Sequence, residues 1–300
     1  MYESFYNLNE DPFRLSADHR FCFNHRGYIR AKGSVQYALY RAEGLVMITG
    51  RPGTGKTTLA TDLIASLSPG KYTVGHLVSS QLEGGDLLRM TAYAFGLGAQ
   101  EHQKAHLLME LMAFLAKKHQ GGMRSVLIID EAQGLAPSAL QELRRLSDLQ
   151  HQNHPLLQIV LLGQDRLREA MRSAEMEPIH QRLVAAWHLE PLSPEDTMNY
   201  VRHRLEQAGW TGDPGFEPGV LPLVYQFSEG IPRRINLICS RLMLYAFLAE
   251  SHIITPEDAQ AVIRELGESE LHHTGKGAQD TEGVQSDRGH PKPRAMGASG

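Results

Sequence analysis

The chain has 300 residues, 42% hydrophobic and 21% charged, enough for one large or two modest domains with a substantial core. Thirty Lys and Arg against 34 Asp and Glu give a formal net charge of -4 and a pI near 6.4, so no overall basic field advertises nucleic acid. Cys22 and Cys239 lie far apart without metal-ligand spacing, which excludes a disulfide scaffold and a zinc site from expectation and suits a reducing cytoplasm.

The opening Met1-Tyr2-Glu3-Ser4-Phe5-Tyr6 lacks a basic segment leading into an apolar one, so no signal peptide is expected. No uninterrupted apolar run approaches the roughly 20 residues that cross a bilayer, and the expectation is a soluble, cytoplasmic protein for which any membrane association must come through a partner. Residues 1–26 carry aromatics among turn formers, Phe5, Tyr6, Pro12, Phe13, Phe21 and Phe23. They read as an arm pinned onto a domain, or as a cover for a nucleotide base if the arm lies beside the next motif. Ala31, Val35, Ala38, Leu39 and Ala42 share one face at helical spacing, which predicts a helix from Tyr28 to Ala42, closed by Gly44.

Leu45-Val46-Met47-Ile48-Thr49 then reads as a buried parallel strand. It runs into Gly50-Arg51-Pro52-Gly53-Thr54-Gly55-Lys56-Thr57, after which Leu59, Leu63 and Leu67 recur at helical spacing. A glycine-rich loop between strand and helix lets the backbone curl around an oxyanion at a helix N-terminus. Gly50, Pro52, Gly53, Thr54, Gly55, Lys56, Thr57 and Thr58 are therefore assigned to phosphate binding, Lys56 on the β- and γ-phosphates and the Thr57 hydroxyl on Mg²⁺.

Further on, a strand is expected at Tyr72–Val78 and helices at Asp86–Phe95 and Lys104–Lys118, before the apolar run Val126-Leu127-Ile128-Ile129 ending in Asp130-Glu131. Two adjacent acids at a strand end can cap a loop. Downstream of a phosphate loop they read instead as an Mg²⁺ carboxylate, Asp130, and the residue that polarises the attacking water, Glu131. A helix over Pro137–Gln150 and a strand over Leu156–Leu162 follow, and Gln164 then stands at the carboxyl edge, where it either orients that water or caps a helix. Helix is expected to about Val184 and a short strand around Trp187–Leu189. Strands alternating with helices give an α/β domain over 27–190, a parallel sheet with helices on both faces.

At Pro191 the pattern changes. Ser193-Pro194-Glu195-Asp196 and Thr255-Pro256-Glu257-Asp258 are capping boxes with proline at the first helical position, and four helices, the last ending near Leu266, make residues 191–267 a small all-helical domain. Residues 268–300 are too polar to build a core and read as a disordered tail, His272-His273 included. Charge developing on the phosphoryl oxygens calls for an arginine. Arg233, in Gly230-Ile231-Pro232-Arg233-Arg234-Ile235-Asn236, is placed to act from the helical domain; Arg182, in Gln181-Arg182-Leu183, is placed to act across a subunit boundary or is an ordinary surface charge.

These motifs, with Asp130-Glu131-Ala132-Gln133, Leu162-Gly163-Gln164, Arg202-His203-Arg204-Leu205 and the N-terminal Met1–Tyr6 and Pro12-Phe13, resemble the AAA+ ATPases of the general secretion pathway protein A branch. Within it the likeness is to the secretion ATPase found beside exosortase and PEP-CTERM genes for exopolysaccharide export. The resemblance covers about residues 1–267. It implies a five-stranded P-loop NTPase sheet with a helical lid, Lys56 and Thr57 in Walker A, Asp130 and Glu131 in Walker B, Gln164 as sensor 1 and Arg233 as sensor 2. It further implies ATP and Mg²⁺ as cofactors, homo-oligomers on ATP binding, and work with export machinery at the inner membrane. Longer members of the branch carry a membrane span and a peptidoglycan-binding module where this sequence has its polar tail. Two other readings stand beside it: an ATP-dependent DNA-binding regulator resembling transposition accessory ATPases, against which the acidic charge argues, and a nucleotide-gated scaffold with little turnover.

Overall fold

A computed structural model of the chain describes residues 1–16, 18–41, 44–79, 81–98, 103–173 and 176–276. The chain opens with a short helix, α1 (Tyr2–Phe5), and a 3-10 turn at His19–Phe21, then enters α2 (Arg26–Arg41). The α/β part runs β1 (Leu45–Gly50), α3 (Lys56–Ser66), β2 (Tyr72–Val78), α4 (Gly84–Ala94), α5 (Lys104–Gln120), β3 (Arg124–Asp130) and α6 (Pro137–Ser147). A hairpin of β4 (Gln150–His151) and β5 (His154–Pro155) leads to β6 (Leu157–Gly163), α7 (Asp165–Met171), α8 (Glu177–His180) and β7 (Leu183–Leu189). The helical part holds α9 (Pro194–Gln207), β8 (Gly215–Phe216), α10 (Val220–Ser228), α11 (Pro232–Leu248), β9 (Ile253–Ile254) and α12 (Pro256–Lys276).

The five long strands form one sheet in the order β2-β3-β6-β1-β7, every pairing parallel. Because side chains alternate along a strand, β1, β3 and β6 feed two cores at once. Leu45, Met47, Leu127, Ile129, Ile159 and Leu161 pack with α4, α5 and α6 on one face. Val46, Ile48, Val126, Ile128, Val160 and Leu162 pack with α2 and α3 on the other. Central strands buried on both faces need unbroken apolar runs, and the burial of all six β1 residues shows it.

Several boundaries differ from expectation for identifiable reasons. Where helix was expected to reach Val184, β7 begins at Leu183; its alternating exposure marks an edge strand, a pattern too weak to stand out beside the neighbouring helical turns. The helix expected to reach Gln150 stops at Ser147, and the β4–β5 hairpin turns through Gln152 and Asn153, both at positive φ (49° and 66°). Ala42, expected on the face of α2, lies outside the described residues. The helical part also holds a two-residue parallel pairing, Gly215–Phe216 with Ile253–Ile254. Its last helix runs on to Lys276 instead of ending near Leu266, and residues 277–300 of the expected tail lie outside the described residues.

Both capping boxes form. Ser193 Oγ accepts from the Asp196 amide at 3.0 Å, and Thr255 Oγ1 accepts from the Asp258 amide at 3.2 Å while the Thr255 amide donates back to the Asp258 carboxylate at 2.9 Å. The first part of the leading arm is pinned to the helical part, while Cys22 packs on the core beneath α2 and α3. Tyr2, Tyr6, Leu8 and Phe13 share a core with Val201, Leu205, Ile238, Leu242 and Met243, and the Tyr6 hydroxyl donates to the Ser251 carbonyl at 2.9 Å. Arg204, 5% exposed, donates to the carbonyls of Pro12 and Arg14 and lies 4.6 Å from the Phe21 ring centroid. Burial holds its guanidinium below the ordinary arginine value. Arg14 and Arg20 both pair with Asp18, whose carboxyl falls to about 2, first through the Arg20 hydrogen bonds.

Two outcomes follow. Arg204→Met leaves two buried carbonyls without their charged donor and is expected to lower unfolding stability by about 2 kcal/mol in urea titration. The Asp18 pairing stabilises the fold above the ordinary carboxylate pKa of about 3.9 and is lost as pH falls through about 2; Asp18→Asn is therefore expected to flatten the acid limb of the stability profile over that window, read by acid titration of circular dichroism.

Candidate nucleotide-binding site

The parallel register brings three loop starts to one sheet edge. β1 ends at Gly50, β3 at Asp130 and β6 at Gly163, and β6 lies between the other two. The carboxyl edge of such a sheet is where ligands bind. After Gly50 the chain turns on its own polar groups, the Thr54 amide and hydroxyl both donating to the Arg51 carbonyl at 3.3 and 2.9 Å. Gly53 (φ +83°) and Gly55 (φ +99°) take backbone conformations that a β-carbon opposes, and Gly55 is the N-cap of α3. The first amides of α3 have no partners within the helix, which with the helix dipole makes this loop an anion site.

Lys56 is 4% exposed, and its ammonium donates to the carbonyls of Gly50 (2.9 Å) and Arg51 (3.0 Å). Burial lowers its pKa, opposed by the carboxylates of Glu131, Asp130 and Asp165. The Thr57 hydroxyl donates to Asp130 Oδ2 at 2.6 Å, while Asp130 Oδ1 accepts from the Glu131 amide at 2.8 Å. Asp130 is buried, 1% exposed. A hydroxyl and a carboxylate oxygen side by side at a phosphate loop form a hard-oxygen donor set that fits Mg²⁺, which takes one or two protein oxygens and leaves the rest of its shell to water and phosphate.

Next in the chain, Glu131 adopts φ 52° and ψ 36°, a left-handed conformation uncommon for a non-glycine residue and typical of functional turns. The Gln164 side-chain amide donates to its Oε2 at 3.2 Å. Gln164 is also the N-cap residue of α7, but its side chain makes no cap hydrogen bond there. In place of the expected helix cap, the geometry displays this contact with Glu131.

A cavity of about 330 Å³ extends from this loop. Gly53–Thr58 and Glu131 line one part, Pro232, Arg233, Leu192 and Asn236 of the helical part another, and Phe21, Phe23, His25 and Tyr28 of the arm and α2 a third. Burial lowers His25 and raises Tyr28, so both rings are neutral near pH 7. The Arg233 amide donates to the Gly53 carbonyl at 3.3 Å, and its neighbour Arg234 joins Arg51 of the loop on the Glu229 carboxylate (3.0 and 2.8 Å). The helical part thus sits directly on the phosphate loop as a lid.

Lys56, Thr57, Asp130, Glu131, Gln164 and Arg233 are accordingly gathered around one edge. Arg182 is not among them. Its carbonyl accepts from the amide of Leu45, at the opposite end of β1, and its guanidinium is held by Asp148 and the Ser147 carbonyl. Three residues at the site had no role there in the sequence reading: Gln133 and Asn236, quoted only as parts of motifs, and Tyr28, quoted only as a helix start. None has a spacing signal, because each reaches the site through tertiary packing. A β-carbon on Gly53 would lie 2.8 Å from Arg233 Cβ and oppose a positive φ worth about 1–2 kcal/mol; Gly53→Ala is expected to weaken nucleotide binding about tenfold in fluorescence titration and to lower the unfolding midpoint by about 2–4 °C per kcal/mol of that strain.

A family model described as an AAA domain matches residues 40–171. General secretion pathway protein A of Aeromonas hydrophila is 36% identical over 267 residues, 89% of this chain and 48% of that protein; the chain spans about half the length of that relative. Among solved structures, the Aeropyrum pernix ORC1 protein in complex with DNA superposes with a TM-score of 0.67 at 18% identity, covering 90% of this chain and 73% of that one. The ADP form of the Aeropyrum pernix ORC2 protein gives 0.62 at 16%, covering 82% and 72%. At such identities these two likenesses establish the fold alone. With its P-loop and five-stranded parallel sheet, the chain carries an AAA domain over residues 40–171, and along 89% of its length it is similar to general secretion pathway protein A.

Proposed function

We propose that this chain binds ATP with Mg²⁺ between the sheet edge and the lid, hydrolyses it to ADP and phosphate, and couples that turnover to an envelope export system. The observation that carries the proposal is the Glu131 carboxylate, held in a left-handed turn by a glutamine amide and lining the same cavity as Lys56 and Thr57. A carboxylate there takes a proton from water as the water attacks the γ-phosphorus, and Lys56 meets the charge that develops on the phosphoryl oxygens. Thr57 and Asp130 would hold Mg²⁺, which when bound supplies charge neutralisation across the β- and γ-phosphates. Gln164 orients Glu131 or the water. Arg233, at the start of α11 with its backbone on Gly53, supplies a further cation from the lid.

Arg182 lies at the far end of β1 from the loop, paired with Asp148 of its own chain, so any part it takes in hydrolysis is at the site of a neighbouring copy, which makes ATP-dependent homo-oligomerisation part of the proposal. The export role rests on the likeness to general secretion pathway protein A and on the motif-by-motif resemblance to the ATPase of exosortase and PEP-CTERM loci; exopolysaccharide or protein is the exported class. No helix among the described residues is long and apolar enough to cross a membrane; the reading has partners in the export system bring the chain to the inner membrane.

The test is Mg-dependent ATP hydrolysis against protein concentration for wild type, Lys56→Ala, Glu131→Gln and Arg182→Ala. Specific activity is expected to rise with concentration and to fall about a hundredfold or more in the first two variants, with ATP binding kept in Glu131→Gln and concentration dependence lost in Arg182→Ala. Activity untouched by Lys56→Ala would remove the proposal.

A further inference from the structure

Gln133 occupies a place that neither the phosphate loop nor the lid accounts for. It lies in the 3-10 turn Ala132–Gly134, directly after Glu131, and this turn is closed by the Gly134 amide on the Glu131 carbonyl at 2.9 Å. The turn is seated firmly: a β-carbon on Gly134 would come within 3.2 Å of the Ser79 carbonyl at the end of β2. From there the Gln133 side chain spans two segments. Its Oε1 accepts the backbone amide of Gln164 at 2.9 Å, and its Nε2 donates to Glu131 Oε2.

The backbone amide decides which way round this side chain lies, because an N–H needs an acceptor and only the amide oxygen can serve. Nε2 is therefore committed to the carboxylate. The Gln164 amide reaches the same oxygen, so two N–H donors fall on Oε2 and Oε1 is left to accept from water. Gly163 is part of the arrangement, since a β-carbon there would stand 3.0 Å from Gln133 Oε1 and 2.7 Å from Leu167 Cδ2.

We infer that Gln133 is a positioning residue for hydrolysis: it locks the Glu131 carboxylate to the start of α7, so that the base and Gln164 move as one unit and one defined oxygen meets the attacking water. The inference rests on the ATPase reading above. Gln133 does not line the cavity, so its effect belongs to the chemical step and not to nucleotide affinity.

The experiment measures steady-state hydrolysis, binding of a fluorescent ATP analogue and the thermal midpoint for wild type, Lys56→Ala, Gln133→Leu and Gln133→Glu. The glutamate variant keeps the length and still accepts the Gln164 amide, but it cannot donate to Glu131. Both Gln133 variants are expected to lose kcat by about tenfold to a hundredfold, the scale of other outer supporting hydrogen bonds, with KM and analogue affinity within about threefold of wild type. Unchanged kcat in either variant would overturn the inference, as would loss of kcat together with affinity and thermal midpoint, the mark of a purely structural role. Wild type without Mg-dependent turnover sensitive to Lys56→Ala would remove the ATPase reading and this inference with it; wild-type turnover with an unimpaired Gln133→Leu removes the inference alone.

Discussion

The hydrogen bond from the Thr57 hydroxyl to Asp130 joins residues 73 positions apart, and the site depends on it. It exists because β1 and β3 run parallel with β6 between them, in a register that ends all three strands at one edge. A slip of one residue in either pairing would turn alternate side chains of a strand to the opposite face, moving Asp130 away from the loop and Val126 and Ile128 out of their core. Both cores of the sheet therefore hold the same contact in place. The geometry at the site is a by-product of how apolar residues on both faces of β1, β3 and β6 find α2 and α3 on one side and α4, α5 and α6 on the other.

The lid is linked to this edge by short-range contacts. Arg233 donates its backbone amide to Gly53, and Glu229 accepts from both Arg51 of the loop and Arg234 of the lid. The Arg51 and Arg234 guanidinium groups hold the Glu229 carboxyl below the ordinary glutamate value, the Arg51 hydrogen bond foremost. These ion pairs are exposed, so each contributes little stability; their effect is to set where the lid rests. Anything that changes the conformation of Gly53 is transmitted to α11 through the hydrogen bond from the Arg233 amide.

Much of this was legible in the sequence, and the reason is local. The phosphate loop is contiguous, its strand and helix show their own periodicity, and Asp130-Glu131 ends an apolar run that can only be a buried strand. Arg233 could be placed because Gly230 and Pro232 fix a helix start. What stayed hidden is what tertiary contact creates. Gln133 looks like any polar residue after a strand until β6 delivers the Gln164 amide to it. The edge strand β7 is apolar almost throughout and holds two alanines, good helix formers, so it was partly read as helix. Arg204 sits in a helix of mixed polarity, and nothing in its spacing indicates that its partners are the carbonyls of Pro12 and Arg14.

The seating of the arm has a consequence for the order in which the molecule is built. Tyr6 bonds to Ser251, 245 residues away, and Tyr2, Leu8 and Phe13 complete the core under α9, α11 and α12. The lid is thus assembled from two stretches of chain with the whole sheet domain between them. During synthesis the aromatic N-terminal stretch emerges before the sheet domain, and its Tyr2, Tyr6, Leu8 and Phe13 lack their core partners until α11 is made. Contacts of such separation form late, after the intervening chain has condensed. The cavity, lined by the arm on one side and the phosphate loop on the other, is consequently completed only once α11 has been made, together with the lid.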